Sequence, residues 1–476
     1  MKLKNSIVVF IFSVSFFSLQ SQNVRLLSLQ ECVDIALENN LSIKRGKLTL
    51  EGAKIDKSQA RFNQLPNLNL NSNYGYNWGR SIDPTTNDFI NQQIQFSGIS
   101  GSSNIILFNG MRLANAVKQS QVNLESSEFD LQNVKNNVTI NIVTFYLNVI
   151  FNRELVQNAE FQLKSSQEQL DRTKKLVASG ALPLTNELEL VSQVATNEVN
   201  LINAQNNLNF ALLSLKQAML LPASEEIEII VPDIETQNMA DPSYTAQEVY
   251  EEALNIMPEI KSAQLGLESA VLGVKIAKSN ALPQLSLGGS FSTNYSNAFQ
   301  RAVVGDLIYN DQTVLIDGNP VVVSFPSFDI SREDIPFSDQ INQNLSRSLG
   351  INLSIPVFNR FSVRSNVQRS EIQLQQAEIT ALERQNNLRQ QIETAHNDAQ
   401  AALKTFQASE KQVTALEETF RAVQNQYSLG AANFTDFQVA SNNLFRAKSD
   451  LVRAKYDFIF KNKILEFYKG NSITID

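Results

Sequence analysis

The sequence is poor in the residues that build catalytic and metal centres. Its 476 residues include one cysteine, Cys32, and one histidine, His396. A single cysteine forms neither an intramolecular disulfide nor a thiolate metal site, and a single histidine excludes the common histidine-cluster metal centres and argues against a histidine-based triad. We therefore expect no enzyme, no metal and no cofactor, with Cys32 as an ordinary packed thiol and His396 as a solvated helix residue.

Positive charge is scarce as well. Lys and Arg number 40 against 48 Asp and Glu, which gives a formal net charge of −8. The chain thus lacks the basic excess with which proteins neutralise nucleic-acid phosphates, and it has no Gly-rich phosphate loop. Beyond the N-terminus, no apolar run reaches the ~18 residues of a spanning helix. Any insertion into a membrane must therefore use strands.

The N-terminus carries a targeting pattern. Lys2 and Lys4 precede an apolar run from Ile7 to Leu19, and small polar residues follow. This order is typical of a secretory signal peptide, which we place at residues 1–22. The remaining chain is expected outside the cytoplasm.

The chain is a tandem duplication of one unit. Leu65-Pro66 aligns with Leu282-Pro283 at an offset of 217 that holds for about 50 residues, and Phe108-Asn109 aligns with Phe358-Asn359 at an offset of 250. The second copy therefore contains an insertion of 33 residues between the two aligned blocks. Self-similarity of this kind is the first signal of a repeat architecture.

Both copies have the same order of elements: an amphipathic helix that ends at Leu-Pro, two strands, a very long helix, a turn and a returning helix. A Pro-punctuated linker, 222–243, joins repeat 1 (23–221) to repeat 2 (244–476). The predicted elements are helix 28–62, strands about 66–78 and 96–107, long helix 111–178 and return helix 185–219 in repeat 1, and helix 245–279, strands about 283–296 and 345–357, long helix 361–428 and return helix 435–469 in repeat 2.

The strands alternate between an apolar and an amide-rich face. Between residues 67 and 78 the even positions run from Leu68 through Tyr74 to Trp78, whereas most odd positions are Asn. A soluble sheet with one buried face and a membrane barrel both have this period. The signal peptide and the uncharged second face favour the barrel. Four strands cannot close one, so two or three chains must share eight or twelve strands.

The long helices carry heptads. Val117, Leu124 and Leu131 begin a seven-residue repeat that continues after a four-residue stutter, and the second copy has the same pattern. A helix of about 68 residues is roughly 100 Å long and must pack on neighbours along its length. A fibrous coiled coil is one interpretation. The duplicated helical hairpins attached to strands favour a ring of helix pairs, with Thr185 and Thr435 as N-caps of the returning helices. Between the strands of repeat 2, residues 297–344 are expected to form a long external loop.

These parts together resemble the TolC family of outer-membrane efflux proteins over essentially the whole mature chain. The resemblance rests on the duplicated unit, on "LFNGMRLANAV" (107–117) with its twin "VFNRFSVRSNV" (357–367), and on the helical turns within 176–191 and 427–444. It implies an α+β membrane protein that is a homotrimer, with a twelve-stranded outer-membrane β-barrel (four strands from each chain) continuing into a twelve-helix periplasmic coiled-coil tunnel.

The resemblance also implies a function. Such a protein is the passive exit duct of a tripartite system, in which a periplasmic adaptor docks on the tunnel tip and an inner-membrane transporter of the RND, ABC or MFS type supplies the energy. The partners are those proteins and outer-membrane lipid, not nucleic acid. A type I protein-secretion duct of the same family and a secreted coiled-coil scaffold without a pore are the alternatives, and the substrate is not encoded.

The resemblance supplies candidate site residues at the tip and in the barrel. Tyr427 and Asp436 match gate positions, although Tyr427 could equally be a packing residue and Asp436 an acidic residue favoured by its helix dipole. The periplasmic gate candidates are Asp436, Tyr427, Asn186 and Thr435. The adaptor-contact candidates, which are also plausible tight-turn residues, are Gly180, Ala181, Leu182, Gly430, Ala431 and Ala432. The lipid-facing aromatic rim is expected at Tyr74, Tyr76, Trp78, Phe291 and Tyr295.

Overall fold

A computed structural model describes residues 25–82, 87–91, 93–222, 224–231 and 244–471. The predicted signal peptide and most of the predicted linker lie outside these residues. Contacts divide the described chain into two compact units, one containing Ser126–Gln264 with residues up to Glu51 and from Thr380, the other containing Gly52–Glu125 and Leu265–Ile379.

The described part of repeat 1 contains four helices and five strands, and the described part of the linker adds one more strand, β6. They are β1 (Arg25–Leu27), α1 (Leu29–Asn39), α2 (Leu41–Phe62), β2 (Asn69–Asn77), β3 (Arg80–Ile82), β4 (Phe89–Asn91), β5 (Ile94–Phe108), α3 (Arg112–Ala178), α4 (Leu184–Ala218) and β6 (Ile227–Ile229). Repeat 2 follows the same plan with an insertion. Its elements are α5 (Ala246–Ile256), α6 (Pro258–Ser279), β7 (Gln284–Ser296), β8 (Gln300–Ile316), β9 (Asn319–Asp334), α7 (Phe337–Gln343), β10 (Ser346–Ser354), α8 (Ser362–Ser428) and α9 (Phe434–Tyr468).

The first helix of each repeat is interrupted, so the continuous helices expected at 28–62 and 245–279 were wrong. Asn40 and Met257 leave the helical region with ψ angles of 129° and 124°. Met257 precedes Pro258, which disfavours the helical conformation at the residue before it. At Asn40 the side-chain oxygen instead accepts a hydrogen bond from the Ser42 amide, which starts α2 afresh.

Four strands form one antiparallel sheet in the order β10-β7-β5-β2. Each neighbouring pair is antiparallel, and β5 carries a bulge between Ile106 and Phe108. Each chain thus supplies one four-stranded sheet, as predicted. Its outer strands β2 and β10 pair on one side only within the described chain.

The pairing register confirms the two-faced pattern of the sheet. Leu70, Gly101 and Phe291 lie side by side on one face, and Asn73, Gly98 and Asn294 on the other. The second face of these four strands has no charged side chain and carries mainly amides, hydroxyls and glycines, with Ile94, Phe96 and Ile106 of β5 as its apolar members. The apolar face has one charged side chain, because Arg347 of β10 pairs with Phe291 and points to the same side.

The region 297–344 is not the open loop that we expected. It contains the hairpin β8–β9 and the short helix α7, which packs on β7. Asp317 and Gly318 have φ angles of 54° and 81°, the two positive values that a tight two-residue hairpin turn requires. In the sequence, the Asp-Gly pair between two apolar runs was the signal that indicated this hairpin. Gln340 of α7 is buried and anchors the segment, since its amide bonds both the Ser296 amide and the Ser296 carbonyl.

The largest core lies in the first unit, where α1, α3 and α4 meet. Tyr146, Leu215 and Cys32 are buried in one cluster, and the Tyr146 hydroxyl donates to the Ile230 carbonyl beyond β6. Within the described ranges, no helix is both long enough and apolar enough to cross a bilayer. His396 is not the solvated helix residue that we expected. Its ring is half-buried, and its Nε2 lies 3.1 Å from the Tyr244 carbonyl oxygen.

Burial gives Cys32 a testable chemical property. Desolvation raises the pKa of its thiol to about 12, with a smaller contribution from the nearby Glu31 carboxylate. A raised pKa keeps the thiol neutral up to pH ~11, so the folded protein should resist maleimide at pH 7–9. Mass spectrometry should show full labelling only after unfolding. Rapid labelling of the native protein would contradict the buried position.

Candidate functional site

The two helical turns at the ends of the long helices have the same backbone geometry. Gly180 and Gly430 both adopt a φ of 73°, the left-handed conformation that ends a helix. The Ala181 amide donates to the Leu176 carbonyl at 2.9 Å, and the Ala431 amide donates to the Gln426 carbonyl at 2.8 Å. These bonds satisfy carbonyls that the ends of α3 and α8 would otherwise leave unpaired.

The candidate contact residues are accessible at both turns. Gly180, Ala181, Gly430 and Ala431 are exposed, while Leu182 and Ala432 are half-buried. Apart from Leu182, these residues are Gly or Ala, whose small side chains leave the backbone of each turn accessible.

The returning helices begin earlier than the predicted threonine caps. Asn433 is the N-cap of α9, and its Oδ1 accepts a 2.8 Å hydrogen bond from the Asp436 amide. In repeat 1, Pro183 occupies the N-cap with no side-chain bond. Thr185 and Thr435 therefore lie inside the first turn, so the predicted N-cap role of both threonines was wrong. Because α9 already begins at Phe434, Thr435 does not occupy the position before the first helical residue.

Tyr427 belongs to an aromatic cluster. Its ring stacks on Phe437 at 5.1 Å between centroids and lies 6.2 Å from Phe434, while the Phe420 ring lies 5.7 Å from that of Phe437. Leu170 and Leu190 complete the core. The Tyr427 hydroxyl is buried without a hydrogen-bond partner among the described residues. Such a group is costly in a closed core, so a hydroxyl held there invites an explanation other than packing.

Asp436 is placed differently from Tyr427. Its backbone is fixed in the first turn of α9, but its side chain is exposed, and its carboxylate has no hydrogen bond or ion pair within the described part of the chain. Asn186, its counterpart in repeat 1, is half-buried, and Thr435 is exposed. Among the described residues no cluster of three or more His, Cys, Asp or Glu side chains could hold a metal ion.

The predicted aromatic rim lies on the apolar face of the sheet. Tyr74 and Tyr76 share a 2.7 Å hydrogen bond between their hydroxyls, Tyr76 stacks on Trp78, and all three rings are exposed. Phe291 lies over Gly101, where an added Cβ would approach its ring to 2.3 Å. Tyr295 instead contacts Phe337 of α7 at 5.2 Å. The first four rings are thus exposed, as a lipid-facing rim requires, whereas the fifth contacts the insertion.

Sequence reasoning missed the aromatic residues that surround Tyr427. Phe420, Phe434 and Phe437 stand where repeat 1 has Leu170, Leu184 and Glu187. The gain of three rings at duplicated positions was a visible signal. We did not use this signal, because a heptad pattern records only whether a position is apolar and does not distinguish Leu from Phe.

The architecture and its duplicated turns can now be compared with known proteins. Residues 32–219 and 249–467 match the family model described as outer membrane efflux protein. The chain belongs to that family. It is an outer-membrane efflux or secretion duct with a periplasmic portion, as the resemblance implied, and the family is one of channels rather than enzymes.

Individual relatives agree with the family. The outer membrane protein TolC of Escherichia coli (strain K12) is 21% identical over 456 residues, which cover 94% of this chain and 82% of TolC. The alkaline protease secretion protein AprF of Pseudomonas aeruginosa is 20% identical over 462 residues, or 96% of this chain and 87% of AprF. The crystal structure of VceC from Vibrio cholerae superposes with a TM-score of 0.71 at 15% identity, covering 94% of this chain and 97% of VceC. The predicted α+β fold of the single chain, long helices combined with a four-stranded sheet, is confirmed.

The revised cap of α9 yields a local prediction. Replacing Asn433 with Ala removes the bond to the Asp436 amide and should destabilise the first turn by about 1 kcal/mol. Hydrogen–deuterium exchange in a peptide covering the turn should accelerate about fivefold, since each 1.4 kcal/mol is tenfold. Thr435→Ala, two residues away, should leave exchange unchanged. Equal acceleration in both variants would restore Thr435 as the cap.

Proposed function

We propose that this family member works as a homotrimer, in which three copies share one outer-membrane barrel and one periplasmic helical tunnel that conduct substrates passively. The observation that carries the proposal is an apolar stripe on α2 that no part of the described chain covers. Supporting observations come from α4 and from the edges of the sheet.

The stripe on α2 repeats every seven residues. Leu41, Leu48, Ile55 and Phe62 are 63%, 73%, 63% and 65% exposed. Their duplicates on α6 are Pro258, Leu265, Leu272 and Ser279, at the offset of 217. Three of these duplicates are buried and Leu265 is half-buried. The same four positions of the duplicated unit are therefore covered in repeat 2 and exposed in repeat 1.

The cover over α6 is the long helix of the other repeat. Gln119 of α3 donates to the Ser269 carbonyl at 2.9 Å, and Ser279 donates to the Gly110 carbonyl just before α3 at 2.7 Å. The duplicate of α3 is α8. The duplicated contact is therefore α2 of one protomer against α8 of the next, and it exists only between chains.

The returning helices show the same asymmetry. Phe445 of α9 is buried and packs on Phe161 of α3 at 6.1 Å between ring centroids. The corresponding face of α4 is open, with Val199, Ile202 and Phe210 exposed. By the duplication, this face also fits the long helix of a neighbouring protomer.

The sheet requires partners for a different reason. Its edge strands β2 and β10 offer unpaired backbone groups, which lipid does not tolerate. Joining β2 of one copy to β10 of the next closes a barrel of eight or twelve strands with two or three chains. We choose three because the resemblance implies a trimer.

The tip supplies the gate and the adaptor contact in this proposal. Threefold symmetry places three Asp436 carboxylates around one constriction, where mutual repulsion favours a bound cation. The exposed turns at Gly180–Leu182 and Gly430–Ala432 fit an adaptor that needs close backbone approach. An inner-membrane transporter upstream supplies energy. A protein-secretion duct remains the second candidate, favoured by the similarity to AprF.

The α2 stripe provides the test of assembly. Ile55→Arg should leave the protomer folded, because the side chain is already exposed, but should remove ~1.5–3 kcal/mol of apolar burial at each of three interfaces. Native mass spectrometry in detergent should show monomer in place of trimer. Circular dichroism should keep the helix content of the wild type.

The control places the same side chain on the same helix. Asp56→Arg lies roughly 100° around α2 from position 55 and should remain trimeric. If wild type and Ile55→Arg are both trimeric with equal dissociation midpoints, the stripe is not an interface.

The gate has its own prediction. In planar bilayers the wild-type trimer should conduct ions and be blocked by a multivalent cation added from the tip side. Asp436→Asn removes three charges at once and should weaken that block about tenfold, equivalent to ~1.4 kcal/mol. Tyr427→Phe separates its two interpretations: a packing residue leaves conductance unchanged, whereas a gate hydrogen bond raises it. Unaltered block in Asp436→Asn would remove Asp436 from the pore.

A further inference from the structure

The hairpin β8–β9 is a separate ribbon at the end of the second sheet. Its strands pair with each other in fifteen registered pairs and with no other strand of the described chain. A bulge between Val304 and Leu307 divides an inner from an outer part. The hairpin connects β7 to β10, whereas α6 and α8 connect to the opposite ends of those strands. It therefore leaves the sheet at the end away from α6 and α8.

The outer part of the hairpin exposes large apolar side chains on both faces. They are Leu307, Ile308, Tyr309, Leu315, Ile316, Val321, Val322, Phe325 and Phe328. An isolated two-stranded ribbon is marginally stable in water at best, and exposed apolar patches mark contact surfaces. This ribbon requires a cover over at least one face.

The cover cannot be a strand added along β9. Pro320 and Pro326 face Leu315 and Tyr309 in the register. Ile316 and Asn319 close the turn as a hydrogen-bonded pair, so both prolines fall at non-hydrogen-bonded pairs and direct their nitrogens to the outer edge. Proline has no N–H to donate there, which blocks edge pairing. The three copies of a cyclic trimer cannot pair edge to edge without using β9.

The two faces differ in charge. The face that contains Ile308, Val314, Val321, Val323 and Phe325 carries only amides, hydroxyls and apolar groups, and we name it the uncharged face. The other face carries Asp311, bonded to Ser324, beside Leu307 and Val322. Three copies of the Asp311 face brought together would place three carboxylates in one contact. Three copies of the uncharged face bring no charge together.

We infer that the uncharged faces of three β8–β9 hairpins pack against one another around the threefold axis and form a β-structured cap beyond the barrel. The inference rests on the trimer proposed above. The occupant of each uncharged face is a second copy of the same hairpin, which the symmetry delivers at the same height and in the same orientation.

The area of the uncharged face is small enough that the hairpins should associate only when the trimer holds them together. Ten residue pairs at ~3.4 Å each and a width of two strands give roughly 300–400 Å² per hairpin. Stable independent interfaces bury about 800 Å² per partner, so free hairpins should not associate. Attachment to one barrel raises the effective concentration to about the millimolar range, where a small interface suffices.

Two neighbouring residues of one strand supply a matched test. Val322 and Val323 are the same residue type on opposite faces of β9, and wild-type Cys32 is buried and serves as the unlabelled background. Val323→Cys and Val322→Cys are purified as intact protein in detergent and treated with a short bis-maleimide. Denaturing electrophoresis measures the rate of subunit crosslinking, and native mass spectrometry measures the trimer.

Val323→Cys should crosslink about tenfold faster than Val322→Cys, because only the former lies in a tethered contact. Equal rates, or no crosslinking of either variant in an intact trimer, overturn the cap and leave the trimer standing. A monomeric wild-type protein overturns the trimer and the cap together. Faster crosslinking of Val322→Cys overturns the choice of face.

Discussion

The structure depends on apolar stripes on its helices, of which one chain covers only those of repeat 2. The chain contains one unit twice, and each copy must bury a stripe on its first helix and another on its returning helix. Within a single protomer the stripes of repeat 2 pack against α3, but no described helix packs against the stripes of repeat 1. The open positions on α2 and α4 are therefore not defects of packing. They are the duplicates of contacts already satisfied elsewhere in the molecule.

The same constraint acts on the sheet through hydrogen bonds rather than apolar area. Antiparallel pairing within the chain forms three strand junctions, and in the closed barrel that we propose a fourth joins β10 of one copy to β2 of the next. The helices and the strands thus each require a neighbouring copy of the chain, for independent physical reasons. Because an unpaired edge in lipid costs several kcal/mol for each backbone group, the sheet is the stricter of the two.

Much of this fold could be predicted from the sequence because its signals are periodic. The alternation around Tyr74 and the heptads through Leu124 depend on many residues, so no single substitution hides them. The misassigned features were single-residue events. Asn40 breaks a helix by bonding Ser42, and Asn433 takes the cap expected at Thr435. Such choices are decided by one hydrogen bond of about 1 kcal/mol, and periodicity does not report on them. The hairpin β8–β9 was missed because the insertion has no duplicate in repeat 1 to align with.

The two turns show how duplication permits function to diverge. Their backbones are alike at Gly180 and Gly430, yet repeat 2 has gained the ring cluster of Phe434 and Phe437 while repeat 1 has kept the exposed Leu184. An exposed leucine at a helix start contributes nothing to the protomer and is useful only against a neighbour. A cluster of rings stabilises its own hairpin and can hold Asp436 in a fixed place. In the trimer that we propose, one copy of the turn is thus suited to assembly and the other to positioning a charge at the gate.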